Sequence, residues 1–359
     1  MLDTSGPAGS FRFGVDDIGE AAIRDIRHYT AQAVASARKN DKAVTVHFQI
    51  INRGRFGAYS TISENQDDLV AIDERVPAIL LGAFRALLSD PAFMQSKRSC
   101  TSTALKFDES IEQIWADPHL WGTIAPLPDE LGERMAQALA YWGTNYCLFH
   151  EVRHLLAGHN DWRQNASKEW LTPGNLQTLE WSADCGAAAD LLAHLLQPVI
   201  RKADDRIMWN IPGTNRLGTR QDALEFAGLV VFVCHLFMAD AGKALDEENT
   251  EYHPPQLLRQ QFGLAMLVDA LILFARIDPG EVAPILVGIT GEATNAIQRM
   301  FPGASAWRMS RATWEAGLRA KERYEVGWAE LRPLLEPYVR VGTLPPADPV
   351  LIWDADQPL

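Results

Sequence analysis

The stretch from Asp129 to Gly158 constrains the fold of this 359-residue chain more than any other. It is entered after Pro126 and Pro128 and left at Gly158, and it carries Leu139, Trp142, Tyr146, His150 and His154 at helical spacing. That pattern predicts one long helix with a single inward face. It also places two imidazoles where apolar side chains belong, and polar groups on a buried face need a reason. His150, Glu151, Val152, Arg153 and His154 form a His-Glu-x-x-His sequence. Histidines four residues apart on one helical face reach a single ion, and the glutamate beside the first can take a proton from a water held there. The competing reading of the two histidines is a pair of satisfied core residues.

A zinc site needs a third protein ligand and an open position for water. The metzincin pattern would require Gly at 157 and His at 160. The chain has Ala157 and Asn160, with Gly158 and His159 one position off. Downstream, Glu180-Trp181-Ser182-Ala183-Asp184 falls inside a second predicted helix, Asn175–Gln197, which Pro198 is expected to end. Leu176, Glu180, Ala183, Asp184 and Ala187 share one face there, and Ala183, Gly186, Ala187 and Ala188 are small enough for two helices to approach closely. Glu180 is thus the expected third ligand; an acidic residue on a solvated helix face is the alternative. Asp184, one turn on, sits where it can accept the second N–H of a ligand histidine. Further along, Pro254 and Pro255 fix a turn that would hold His253 at a helix entrance, with Tyr252 before it and Arg259 inside the helix. His253 is a candidate donor to the oxyanion of a tetrahedral intermediate; a capping or surface histidine is the alternative.

Elsewhere, helical spacing covers 16–39, 77–88, 222–241, 256–277, 280–300 and 307–340, while 43–51 alternates as a strand and 57–62 with 69–72 reads as a hairpin. The segment 159–174 reads as a polar loop and 246–252 as an acidic one that could gate the site. The expected fold is mainly α with a small antiparallel β-sheet (α+β). It forms a single domain over 1–359, with a loose N-terminus at 1–10, a catalytic core at 43–262, a C-terminal helical layer at 263–340 and an irregular tail at 343–359. The net charge of −13 argues against nucleic acid or an anionic membrane gripped through bulk charge. No leader pattern opens the chain. The most apolar runs, 226–239 and 262–275, are short for a membrane span and are interrupted by His235 and Asp269. A cytoplasmic protein is the expectation. Cys100, Cys147, Cys185 and Cys234 form no CxxC pair, and those flanking the motifs read as packing residues. His119, His159, His194 and His235 have no companion at ligand spacing and read as ordinary.

HExxHxxxGH, then ExxAD, then HPPxxxR, in this order, resembles the gluzincin zinc metallopeptidases, distantly the CAAX-prenyl and HtpX-type enzymes and more closely the soluble phage-exclusion peptidases of the Lit type. The resemblance covers roughly residues 43–262 and includes 69–94 and 179–192. It implies a zincin-like fold with one zinc per chain, held by His150, His154 and Glu180. Glu151 would be the base, and Asp184 would stand behind the ligands. His253 would be an active-site histidine. The implied partner is a protein or peptide substrate, such as a translation factor cleaved in defence against phage. The rival reading is a zinc-binding sensor or interaction protein without catalysis.

Overall fold

The computed structural model describes residues 15–37, 45–53, 56–62, 67–95, 105–107, 119–200, 220–238, 263, 265, 267–268, 279–301 and 311–345. Tyr252, His253, Arg259 and the acidic segment 246–252 lie outside the described residues. Among those described, the elements run α1 (Val15–Ala37), β1 (Val46–Ile51), β2 (Ala58–Ile62), β3 (Asp68–Asp73), α2 (Arg75–Ser89), α3 (His119–Gly122), α4 (Glu130–Leu156), α5 (His159–Asn165), α6 (Pro173–Ile200), α7 (Arg220–Phe237), α8 (Pro279–Met300) and α9 (Arg311–Leu335). A single 3₁₀ turn, Glu336–Tyr338, follows. The chain is mainly helical with one small sheet, an α+β arrangement.

The helix expected over 129–158 is α4, and it is the axis of the molecule. Asp129 caps it by accepting from the backbone N–H groups of Leu131 and Gly132, at 3.1 and 3.0 Å. Glu130 and Glu133 in its first turn suit the positive end of the helix dipole. From Leu139 onward it is buried almost all round, because α1, α2, α6 and α7 pack against it together with β2 and β3. A helix so enclosed needs no polar face, which is why Leu148, Phe149 and Val152 are buried as fully as Tyr146.

The sheet differs from the expectation of antiparallel strands. Its order is β1-β3-β2, with β2 antiparallel to β3 but β1 parallel to it. The hairpin forms as expected, Ala58 facing Ile72 and Ile62 facing Asp68. Burial explains the order. β3 (DLVAID) is almost wholly buried and takes the centre, whereas β1 shows an exposed His47, Gln49 and Ile50 and suits an edge. Two further boundaries move. The expected polar loop 159–174 contains α5, and α6 continues to Ile200, two residues past Pro198.

The C-terminal helices cover the back of this core. α8 packs on α7 and α2, while α9 packs on α6. Trp328, Leu331, Leu335, Val339 and Leu344 form a second, smaller apolar cluster with Trp162 of α5 and Leu179 of α6. The segment after α9 then returns to the end of α4. The Arg340 N–H donates to the Leu156 carbonyl at 3.0 Å, and its guanidinium bridges Asp161 of α5 and Asp68 of β3. Among the described residues, no helix is long and apolar enough to cross a membrane.

Candidate metal centre

α4 and α6 lie side by side and bring three of the expected ligands together. His150 Nε2 is 3.2 Å from Glu180 Oε2 and 3.1 Å from His154 Nε2, and His154 Nε2 is 3.4 Å from Glu180 Oε1. All three side chains are buried, and their ligand atoms lie within 4.8 Å of one another. Two features let the helices close this tightly. Ala183, Ala187 and Ala188 are fully buried at the seam. Gly186 leaves a passage for Arg153, since a Cβ there would sit 2.7 Å from the Arg153 Cδ. Arg153 uses that passage to reach Asp190 of α6, with Nε at 2.6 Å, and Asp190 also accepts from Tyr29 of α1 at 2.8 Å. A residue inside the HExxH sequence therefore clamps α4 against α6 and α1.

Asp184 takes the place expected of it. Its Oδ1 is 2.8 Å from His150 Nδ1, at ion-pair distance though without the alignment of a hydrogen bond. Burial opposes charging of His150, but the carboxylates of Asp184 and Glu180 outweigh it and raise the imidazole to about 10. The pocket thus demands positive charge between its two acids. A metal ion meets the same demand, and two imidazole nitrogens with one carboxylate oxygen are a fitting donor set for a transition metal. His150, His154 and Glu180 could hold it. Glu151 is also buried and follows His150 on α4. The positions expected of Tyr252, His253 and Arg259 lie outside the described residues.

Two histidines read as ordinary belong to this centre. His159 is fully buried, and its Nδ1 lies 3.1 Å from Nδ1 of His154, the nitrogen turned away from the ligand cluster. Gly158, at φ 77°, turns the chain at the end of α4 so that the next residue faces back. A Cβ on Gly158 would fall 2.3 Å from the Tyr338 carbonyl oxygen. Burial, then the neighbouring His154, push the His159 imidazole well below its usual range, so it is neutral. His235 of α7 is likewise fully buried; its Nε2 is 2.9 Å from the Tyr146 hydroxyl and 3.7 Å from Asp184 Oδ1. The Gly158-His159 pair at the helix exit was the one available signal for the first. For the second, Tyr146 on the inward face of α4, one turn before His150, needed a polar partner once buried. His194 does read as ordinary, packing on Tyr29 and Phe149.

Comparison with known proteins gives no matching family model, no matching curated protein and no matching solved structure.

Proposed function

We propose that this chain is a zinc-dependent endopeptidase acting on a cytoplasmic protein. The observation that carries the reading is the buried triad of His150, His154 and Glu180 with a buried acid, Glu151, directly after His150 on the same helix. Zinc bound there supplies Lewis-acid polarisation of a carbonyl and acidification of water. Glu151 takes the proton of the attacking water and returns it to the leaving amine. Asp184 and His159 hold the ligand rings from behind, and Arg153 keeps α4 fixed against α6. In this reading His253 donates to the oxyanion, with Tyr252 and Arg259 as further candidates from the same stretch of sequence.

The sheet offers a seat for an extended substrate. Among the described residues β2 is an edge strand, paired on one side with β3, and it lies against α4 and α5. Asn160, six residues beyond His154, donates to Ser60 Oγ of β2 at 3.1 Å, tying this edge to the metal helix. A peptide adding to β2 by backbone pairing would be held in register. The motif resemblance to Lit-type peptidases points to a substrate such as a translation factor, cleaved during phage infection.

The test is a search for new protein N-termini across the proteome after expression of the wild type and of Glu151→Gln. New termini with the wild type alone support a peptidase. Identical profiles from both proteins, with zinc bound in each, would make the metal a structural one and leave a sensor or interaction protein.

A further inference from the structure

We infer that His159 is a positioning residue for the metal centre: its Nδ1 accepts the Nδ1–H of His154 and holds that ring with Nε2 toward the ion. This rests on His154 being a metal ligand through Nε2, as proposed above.

The geometry leaves one consistent assignment of protons. His154 Nε2 faces His150 and Glu180, at 3.1 and 3.4 Å, so it is the nitrogen available to a metal. A neutral imidazole bound through Nε2 carries its proton on Nδ1. The partner of that proton is His159 Nδ1, 3.1 Å away and buried with it. Two N–H groups cannot face each other across such a contact, so His159 accepts there and bears its own proton on Nε2. Among the described residues, Nε2 of His159 is buried without a hydrogen-bond partner, and His159 lines a small cavity with Arg153, Ser182 and Thr343.

That orphaned N–H is the informative detail. The position is wholly enclosed, its ring packing edge-on against His154 and, at 6.5 Å, Trp328. For packing alone, a leucine or phenylalanine would fill it with no polar atom left unpaired. A histidine carries the cost of one unsatisfied nitrogen while its other nitrogen serves His154. The approach is built into the backbone, through the left-handed Gly158 and the Tyr338 carbonyl seated against it. The ring is therefore aimed rather than merely accommodated.

The test compares the wild type, His159→Leu and His159→Asn by zinc affinity, measured in chelator competition, and by melting temperature after zinc removal. Leucine deletes the acceptor; the asparagine amide oxygen restores one near the Nδ1 position. The expected result is zinc binding about 10–100-fold weaker in His159→Leu, the usual effect of losing a group behind a ligand, with most of it regained in His159→Asn. A lower melting temperature with unchanged zinc affinity in His159→Leu would overturn the inference and leave a packing residue. Nitrogen-15 spectra of the zinc-loaded wild type decide the matter should the leucine variant not fold. They should show His159 protonated on Nε2; protonation on Nδ1 overturns the inference. If the wild type takes up no zinc at all, the metal reading itself falls, a result distinct from tight binding that ignores residue 159.

Discussion

The two candidate ligand histidines sit on one helix, four residues apart, yet they are supported in opposite ways. Behind His150 stands a carboxylate, Asp184, which in turn neighbours His235 and through it Tyr146, a chain of polar groups crossing from α6 to α7 and back to α4. Behind His154 stands a neutral imidazole supplied by the turn that leaves α4. The first support is electrostatic and strengthens any positive charge at the centre. The second is directional, orienting a ring without adding charge. One anionic backing group among two keeps the buried charge low, since Glu180 already brings one negative charge to the ligand set and each further buried charge is costly.

The largest expected effect comes from removing the charged side. Asp184→Ala leaves a buried, positively charged His150 with only Glu180 beside it. The zinc-stripped protein should lose about 3 kcal/mol near neutral pH, the low end for breaking a buried ion pair because one acid remains. Urea unfolding measures this, and an equal loss for His159→Asn would erase the contrast between the two sides.

The next test is pH. His150 is raised from 6.5 to about 10 in the folded chain. Its contribution to the zinc-stripped protein is therefore complete below about 6.5 and is lost as pH rises through about 10, a change on the order of a few kcal/mol. Melting temperatures of zinc-stripped protein should fall across that window, and Asp184→Asn should flatten the slope. Zinc uptake near pH 7 should release a proton from His150, seen by calorimetry in buffers of different ionisation enthalpy.

On the neutral side, Gly158→Ala forces a left-handed residue and drives its Cβ toward the Tyr338 carbonyl. A cost of about 2 kcal/mol is expected, of which the backbone conformation alone accounts for about 1–2. It should weaken zinc binding by displacing His159 while the pH slope set by His150 persists. A wild-type zinc affinity in this variant would show that the turn does not aim the ring. The smallest effect belongs to Tyr146→Phe, at the far end of the charged side. Loss of the 2.9 Å hydrogen bond to His235 should cost about 1 kcal/mol in thermal unfolding and leave zinc content unchanged.

These supports also mark what can be read from sequence. Helical period puts His150 with His154 on one side of α4 and Glu180 with Asp184 on one side of α6, so all four are legible in one dimension, whereas the enclosure of α4 almost all round, in place of a single inward face, is not. The role of small residues at 183–188 is legible too, although the use of Gly186 is more specific than close approach: it admits the Arg153 side chain. The hairpin of β2 and β3 is set by local alternation. The parallel seating of β1 is not, because it depends on which strand the helices cover on both sides. His235 was hidden for the same reason, its partners lying on α4 and α6 rather than near it in the chain. His159 is hidden because its place in the chain fits no metal-ligand spacing: it faces the other nitrogen of His154.

Arg340 adds a consequence in time. It joins the end of α4 to Asp68, 272 residues earlier in the chain, and to Asp161 beside the metal helix. During synthesis the triad's own residues are complete once Glu180 has been made, but this clasp must wait for about 160 more. At roughly 5–20 residues per second that is an interval of about 8–30 s. During it the residues of the candidate centre exist while Arg340 does not yet tie the end of α4 to Asp68 and Asp161. The newborn chain thus passes through a stage in which the candidate centre is complete in sequence and the Arg340 clasp beside it is not yet made.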